Sequence, residues 1–217
     1  MRKGARRIVL LARPGAGKST QAARLAAVLR VAHLSTGELL RGQAAAEGGA
    51  GPVSRLLGRG DLVPLEVVER VLLPRLGEAS REGGYVLDGF PRDLSQASAL
   101  ARLPRGERPQ LAIALEVPEA ECRRRLLARA QAEGRADDSP ETIERRLAAY
   151  ERDMRPVLSW YGRRGQLVTV DGARAPGEVT AEIVARARLG RPGAAAAVTP
   201  LGRPGGEASG GSPGAAR

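Results

Sequence analysis

Lys3 and Lys18 are the only lysines in a chain that carries 35 lysine and arginine residues. Lys18 stands inside Ala12-Arg13-Pro14-Gly15-Ala16-Gly17-Lys18-Ser19-Thr20, a combination that can hold phosphate. Gly15 and Gly17 have no Cβ, so the backbone can curl until several N–H groups face one concavity. A helix starting there adds its positive end to the same spot. Lys18 supplies a compact charge on a flexible stem, which suits a curled loop better than a planar guanidinium. The Ser19 and Thr20 hydroxyls can hydrogen-bond phosphate or ligate magnesium. Asp88, closing the apolar run Gly84-Tyr85-Val86-Leu87, is a second candidate. A carboxylate at the C-terminal end of a buried parallel strand can orient magnesium or its waters; the plainer reading is a helix cap. Arg123, Arg124, Arg125 and Arg129 crowd one segment, and Arg125 and Arg129 share a helical face. The usual meaning of such a run is a solvated charged surface.

These groups need rigid elements to hold them. Ile8–Leu11 reads as a strand before the loop and Gln21–Leu29 as a helix after it. Further strands are expected at Val31–Ser35, Gly84–Asp88, Leu111–Val117 and Leu167–Val170, each followed by a helical pattern. That alternation predicts an α/β fold, a parallel sheet covered on both faces. Ser35 or Thr36 is placed to cap a helix that Glu38 supports. Residues 42–60 read as short helices broken by glycine and proline, a mobile insert rather than core. Leu65–Leu76 resumes a helix. Ser139-Pro140-Glu141-Thr142 has the order of N-cap, first-turn proline and acidic first turn. A closing helix is expected from Pro176 to about Leu189.

Composition narrows the class. With 217 residues the chain suits one domain, or one domain plus a tail, and 42% hydrophobic but 2% aromatic content predicts a core of Leu, Val and Ala. A formal net charge of +11 fits a nucleic-acid partner, a membrane partner or a site that neutralises several phosphates. No aromatic residue interleaves the basic clusters, so nucleic-acid stacking is not expected. Cys122, the one cysteine, can form no internal disulfide and reads as a small filler on a helix in a reducing compartment. His33 reads as an ordinary strand residue, with no second ligand at metal spacing. No signal-peptide or membrane-spanning pattern is present, which predicts a cytoplasmic protein. Residues 190–217, rich in Gly, Pro and Ala, are expected to be a disordered tail outside the fold. A chain ending at Leu189 is accordingly expected to retain its turnover and its Tm to within about 2 °C. A thermal melt showing a larger fall would mean that the tail packs on the domain.

Several segments together resemble the adenylate kinases, within the nucleoside monophosphate kinases of the P-loop class. They are Pro14-Gly15-Ala16-Gly17-Lys18 with Thr20-Gln21, Leu34-Ser35-Thr36-Gly37-Glu38-Leu39-Leu40-Arg41, Leu62-Val63-Pro64 and Leu87-Asp88-Gly89-Phe90-Pro91-Arg92 with Gln96. Gly134-Arg135-Ala136-Asp137-Asp138, Glu144-Arg145-Arg146-Leu147 and Val170-Asp171-Gly172 follow in the family's order. The resemblance spans about Arg7 to about Leu189. It implies a P-loop kinase fold over residues 1–189, with a five-stranded parallel sheet, a small helical monophosphate-binding insert at 36–64 and a short lid at 129–138. It implies reversible phosphoryl transfer from MgATP to AMP, giving two ADP, by a monomer with Mg2+ as cofactor and no nucleic-acid or membrane partner.

Carried over by position, the resemblance implies that Gly15, Ala16, Gly17, Lys18, Ser19 and Thr20 bind ATP together with Arg125, Arg129 and Arg174. Thr36, Arg41, Leu62, Val63, Gly89, Arg92, Gln96, Arg135 and Arg146 would bind AMP. Arg125, Arg129, Arg135 and Arg146 would surround the transferring phosphoryl group, with Lys18, Arg92 and Asp88 completing the catalytic set. Asp88 and Glu38 would hold magnesium through water, Ser19 is a candidate ligand, and Asp137 and Asp138 would dock the closed lid. If a helix starts near Arg92, Gln96 lies one turn further on the same side, and its amide can meet the adenine edge with a donor and an acceptor. A polar residue on an exposed helix face is the plainer reading of Gln96. Ala12 replaces the first loop glycine, at an expected strain of up to about 1 kcal/mol. Ser19 replaces a third glycine, Glu38 an aspartate, and Leu65 a common acidic residue. One alternative within enzymes is a UMP/CMP or broader nucleoside monophosphate kinase; the departures at Ala12, Ser19 and Glu38 motivate another, a catalytically degraded nucleotide-binding interaction protein.

Overall fold

In the computed structural model, residues 6–59, 61–133 and 139–189 are described. Their elements run β1 (Arg6–Ala12), α1 (Lys18–Leu29), β2 (Ala32–Ser35), α2 (Thr36–Ala46), α3 (Pro52–Arg59), α4 (Leu65–Glu82) and β3 (Gly84–Asp88). Then come α5 (Leu94–Arg102), β4 (Leu111–Glu116), α6 (Glu119–Glu133), α7 (Pro140–Arg163), β5 (Leu167–Asp171) and α8 (Pro176–Leu189). The five strands form one sheet in the order β2-β3-β1-β4-β5, and every pairing is parallel. β1 lies at its centre, with Val9 beside Leu87 on one side and Ala112 on the other.

Period-two alternation along β1 divides the core. Val9 and Leu11 face one layer with Leu72, Leu76, Leu100 and Val157. Ile8, Leu10 and Ala12 face the other with Leu25, Leu126 and Ile183. Because parallel strands are buried on both faces, they read as unbroken apolar runs rather than alternating ones. The chain leaves β1 toward β2 and leaves β4 toward β5, so it turns opposite ways at adjacent strands. A crevice opens outside the carboxyl ends of such a pair, where ligands bind. Aliphatic residues fill most of the core, as composition predicts, yet Tyr85 and Tyr161 are also among its largest fully buried side chains.

Two expectations are corrected. Leu40, Ala44 and Val53 are buried in the first core layer, so the insert is anchored in the core rather than separate from it. Leu40 and Ala44 stand one helical turn apart and form the apolar stripe that does this. Ala12 closes β1 in register with Leu115, its methyl buried. Arg30 is the one non-glycine residue with positive φ among those described, so Ala12 carries no glycine-type strain. α6 continues through Glu133, so residues 129–133 of the expected lid are helix; residues 134–138 lie outside the described residues, as do 190–217. No helix among the described residues is long and apolar enough to cross a membrane.

Candidate active site

β1 ends at Ala12 and α1 begins at Lys18, and the turn between them depends on Gly15 at φ 83° and Gly17 at φ 82°. An L side chain rarely adopts that conformation. Gly15 also lies so close to α6 that a Cβ there would stand 2.4 Å from the Cys122 carbonyl oxygen. Gly17 is the N-cap of α1 and supplies no side chain to its first amides, and no acidic residue stands in the first turn. By contrast α2, α5 and α7 are capped by Ser35, Asp93 and Ser139. An uncapped helix start with its N–H groups turned to a cavity is an anion site.

Two cavities open there. The larger, about 690 Å3, is lined by the loop from Ala12 to Thr20, by Arg125 and Arg129 of α6, and by Arg145, Arg146 and Tyr150 of α7. The smaller, about 510 Å3, lies between Asp88 and the α2–α3 insert, with Ser35, Gly37 and Arg41 in its wall. Lys18, Ser19, Asp61, Gly89, Arg92, Arg129 and Arg146 line both. Four cations therefore stand along the seam where the cavities meet.

Electrostatics at the seam follow from that crowding. Burial, then Arg92 and Arg146, lowers the Lys18 ammonium to about 7. The Asp88 carboxylate, 1% exposed and in direct contact with Lys18, acts the opposite way. Arg92, enclosed by the cleft walls yet open to its solvent, is lowered to about 10 by desolvation and then by Arg146 and Arg41. Cations held this close are arranged for an anion.

A family model described as adenylate kinase matches residues 10–166. The adenylate kinase of Xanthomonas campestris pv. campestris (strain B100) is 42% identical over 180 residues, 82% of this chain and 96% of that one. That of Thermus thermophilus is 44% identical over 186 residues, covering 84% and 96%. That of Xanthomonas oryzae pv. oryzae (strain MAFF 311018) is 41% identical over 188 residues, covering 85% and 100%. The chain belongs to the adenylate kinase family. It is an enzyme of phosphoryl transfer from ATP to AMP, and neither alternative reading is favoured.

Within this adenylate kinase fold, most residues singled out in the sequence converge on the cleft. Gly15, Gly17, Lys18, Ser19, Thr20, Arg125 and Arg129 line the larger cavity, with Ala16 buried inside the loop. Arg125 is held at 2.6 Å by Glu121, and Arg123 and Arg124 face outward onto Glu144, Glu119 and Glu121. The arginine run is thus half solvated surface and half site, split by the helical turn. Arg41, Gly89, Arg92 and Arg146 line the smaller cavity. Gly37 leaves room for Arg41, since a Cβ there would stand 3.3 Å from its guanidinium. Thr36 is buried beside Gly89, and its hydroxyl has no hydrogen-bond partner among the described residues. Leu62 lines the larger cavity, whereas Val63 turns into the core. Arg174 sits in the turn after β5, paired with Glu182, outside the lining of either cavity. Arg135, Asp137 and Asp138 lie outside the described residues.

Gln96 departs from its expected setting. α5 starts at Leu94 behind an Asp93 cap, so Arg92 precedes the helix. Gln96 is buried, and its carbonyl oxygen accepts the Arg92 backbone N–H at 2.8 Å. The amide oxygen is therefore engaged locally. Asp88 caps no helix; it receives the Lys18 ammonium, with His33 Nε2 at 3.8 Å. Burial pushes His33 below its ordinary value, and it acts as packing beside the carboxylate. Cys122 is buried on α6 as filler. Sequence reasoning passed over Asp61 and Arg145, and gave Arg13 no role. Arg145 adjoins Arg146, and that pairing was the available signal.

Proposed function

We propose that ATP occupies the larger cavity and AMP the smaller, with their phosphates meeting at the seam. The observation that carries this reading is the set of four cations, Lys18, Arg92, Arg129 and Arg146, lining both cavities at once. An oxygen of the AMP phosphate forms a bond to the γ-phosphorus of ATP while the bond to the β,γ-bridging oxygen breaks. The electron pair stays on that oxygen, and an ADP is left on each side. No side chain has to gain or lose a proton. The protein's work is alignment and charge neutralisation. Lys18 and the α1 amides hold donor phosphates, Arg41 and Arg92 grip the AMP phosphate with bidentate forks, and Arg125, Arg129 and Arg146 flank the moving group.

The donors near Lys18 fit magnesium, since the Asp88 carboxylate and the Ser19 hydroxyl of the smaller cavity are hard oxygen groups; Glu38 lines neither cavity and could act only through water. Among the described residues no three His, Cys, Asp or Glu side chains converge into a cage, which suits an ion that keeps several waters. When bound, magnesium would neutralise phosphate charge. The single buried free thiol supports action in the reducing cytoplasm.

Thr36 and Gln96 would choose the base, the Gln96 NH2 donating to a ring nitrogen of adenine. We expect kcat/KM for AMP to exceed that for UMP and CMP by at least ~100-fold, the scale of a mispaired buried polar group. Gln96→Ala is expected to narrow the gap, chiefly by weakening AMP. Initial rates of ADP formation by the full chain, with each monophosphate at fixed MgATP, provide the measurement. Equal rates with UMP or CMP would defeat the adenine reading, and no ADP from any monophosphate would defeat the reaction.

A further inference from the structure

Arg13 is the one cation of the phosphate loop that the reaction above does not use. Its side chain is only 13% exposed, and the residue lines the larger cavity but not the smaller. Nη2 is ion-paired with Glu151 of α7. Nη1 donates to the Val117 carbonyl, just after β4, at 3.3 Å. The guanidinium lies 5.4 Å from the centre of the Tyr150 ring, a cation–π contact. Nε is buried without a hydrogen-bond partner. An arginine that merely solubilised the surface would leave no donor dry, so its placement is set by what it bridges.

The three bridged pieces are those that must agree in position for transfer. The loop carries Lys18, and α7 carries Arg145 and Arg146 one to two turns before Glu151. The Val117 turn leads into α6, which carries Arg125 and Arg129. Lys18 and Arg146 line the same two cavities, and the guanidinium disfavours the charged form of Lys18.

We propose that Arg13 is a positioning residue for phosphoryl transfer, tying the phosphate loop to α7 through Glu151 and Tyr150 so that Lys18 and the α7 guanidinium groups keep one spacing. This rests on the assignment of ATP to the larger cavity. Arg13 touches no reacting atom; it acts through the loop. A misplacement of about 1 Å at such a site costs up to ~100-fold in rate, so losing one of several ties should cost on the order of 10-fold.

Full-chain variants Arg13→Leu, Arg13→Lys, Glu151→Gln and the double variant Arg13→Leu/Glu151→Gln test it by steady-state rates with MgATP and AMP, each below its Tm. Arg13→Leu is expected to lower kcat about 10-fold while KM for AMP stays within about twofold. Arg13→Lys, which keeps the ion pair, should recover much of the loss. Glu151→Gln should fall in the same direction, and the double variant should be no worse than Arg13→Leu, the mark of two residues acting through one contact. Unchanged kcat in Arg13→Leu with a lowered Tm would overturn the proposal, as would fully additive losses. If Arg13→Leu does not fold, the kcat of Glu151→Gln decides the matter by the same criterion. An unmodified chain that makes no ADP would instead overturn the placement of ATP, so the two failures are distinguishable.

Discussion

Lys18→Met is expected to lower kcat by about three orders of magnitude, the scale of losing one cation that stabilises a phosphoryl-transfer transition state. Lys18 lines both cavities, so it can follow charge as it passes from donor to acceptor. The substitution has a second consequence. Asp88, 1% exposed, would keep a carboxylate in the cleft floor without the ammonium it contacts. Removing one partner of a buried pair typically costs about 3–5 kcal/mol, so stability should fall as well. The double variant Lys18→Met/Asp88→Asn separates the two effects, because it removes the stranded charge and should regain much of the Tm without regaining turnover. Lys18→Arg retains charge but offers a planar fork to a curled loop, and a rate close to the unmodified enzyme would refute the assignment. The readouts are single-turnover or steady-state ADP formation and a thermal melt on the same preparations.

Gly15→Ala is expected to be the most damaging small substitution in the loop. The residue sits at φ 83°, and the added Cβ would lie 2.4 Å from the Cys122 carbonyl oxygen and 2.8 Å from Leu126 Cγ. The carbonyl belongs to a helix and cannot swing aside. Backbone strain and overpacking together suggest a loss of about 3 kcal/mol, or a Tm fall of roughly 6–12 °C for a domain of this size. Relief comes only if the loop lifts from α6, which separates Lys18 from Arg125 and Arg129. KM for ATP should then rise by about 10-fold or more, with KM for AMP far less affected. Gly17→Ala is the control for stability. Its φ is 82° but a Cβ there meets nothing within 4 Å, so it should cost only the strain, about 1–2 kcal/mol. Equal Tm losses for the two variants would show that contact with α6 is not what Gly15 serves.

Local rules made much of this protein legible in its sequence. Gly15, Gly17 and Lys18 announce a phosphate loop because only certain residue types tolerate positive φ and place a point charge at a helix start. Ser139-Pro140 announces a helix start because side-chain capping and the fixed φ of proline are local. The unbroken apolar runs at Ile8–Leu11 and Gly84–Asp88 identify buried parallel strands because both faces must be covered. All of these depend on interactions within a few residues, so order along the chain suffices to find them.

Tertiary structure decided what depends on neighbours far apart in the chain. Gln96 reads as a helix-face partner of Arg92, but Asp93 caps the helix later than that reading requires and the two meet through a backbone hydrogen bond. Arg174 matches a family position, yet Glu182 lies close enough on α8 to hold it away from both cavities. Arg13 carries no local signal, since its partners Val117 and Glu151 are 104 and 138 residues away. The sequence determined which residues can hold phosphate, and its order determined the α/β class. That Lys18, Arg92, Arg129 and Arg146 share one seam between two cavities was decided by sheet order, which places β1 between β3 and β4 and so brings three distant loops to one edge. Spacing along a chain encodes local geometry; the coincidence of charges from different elements is created only when hydrophobic burial packs those elements together.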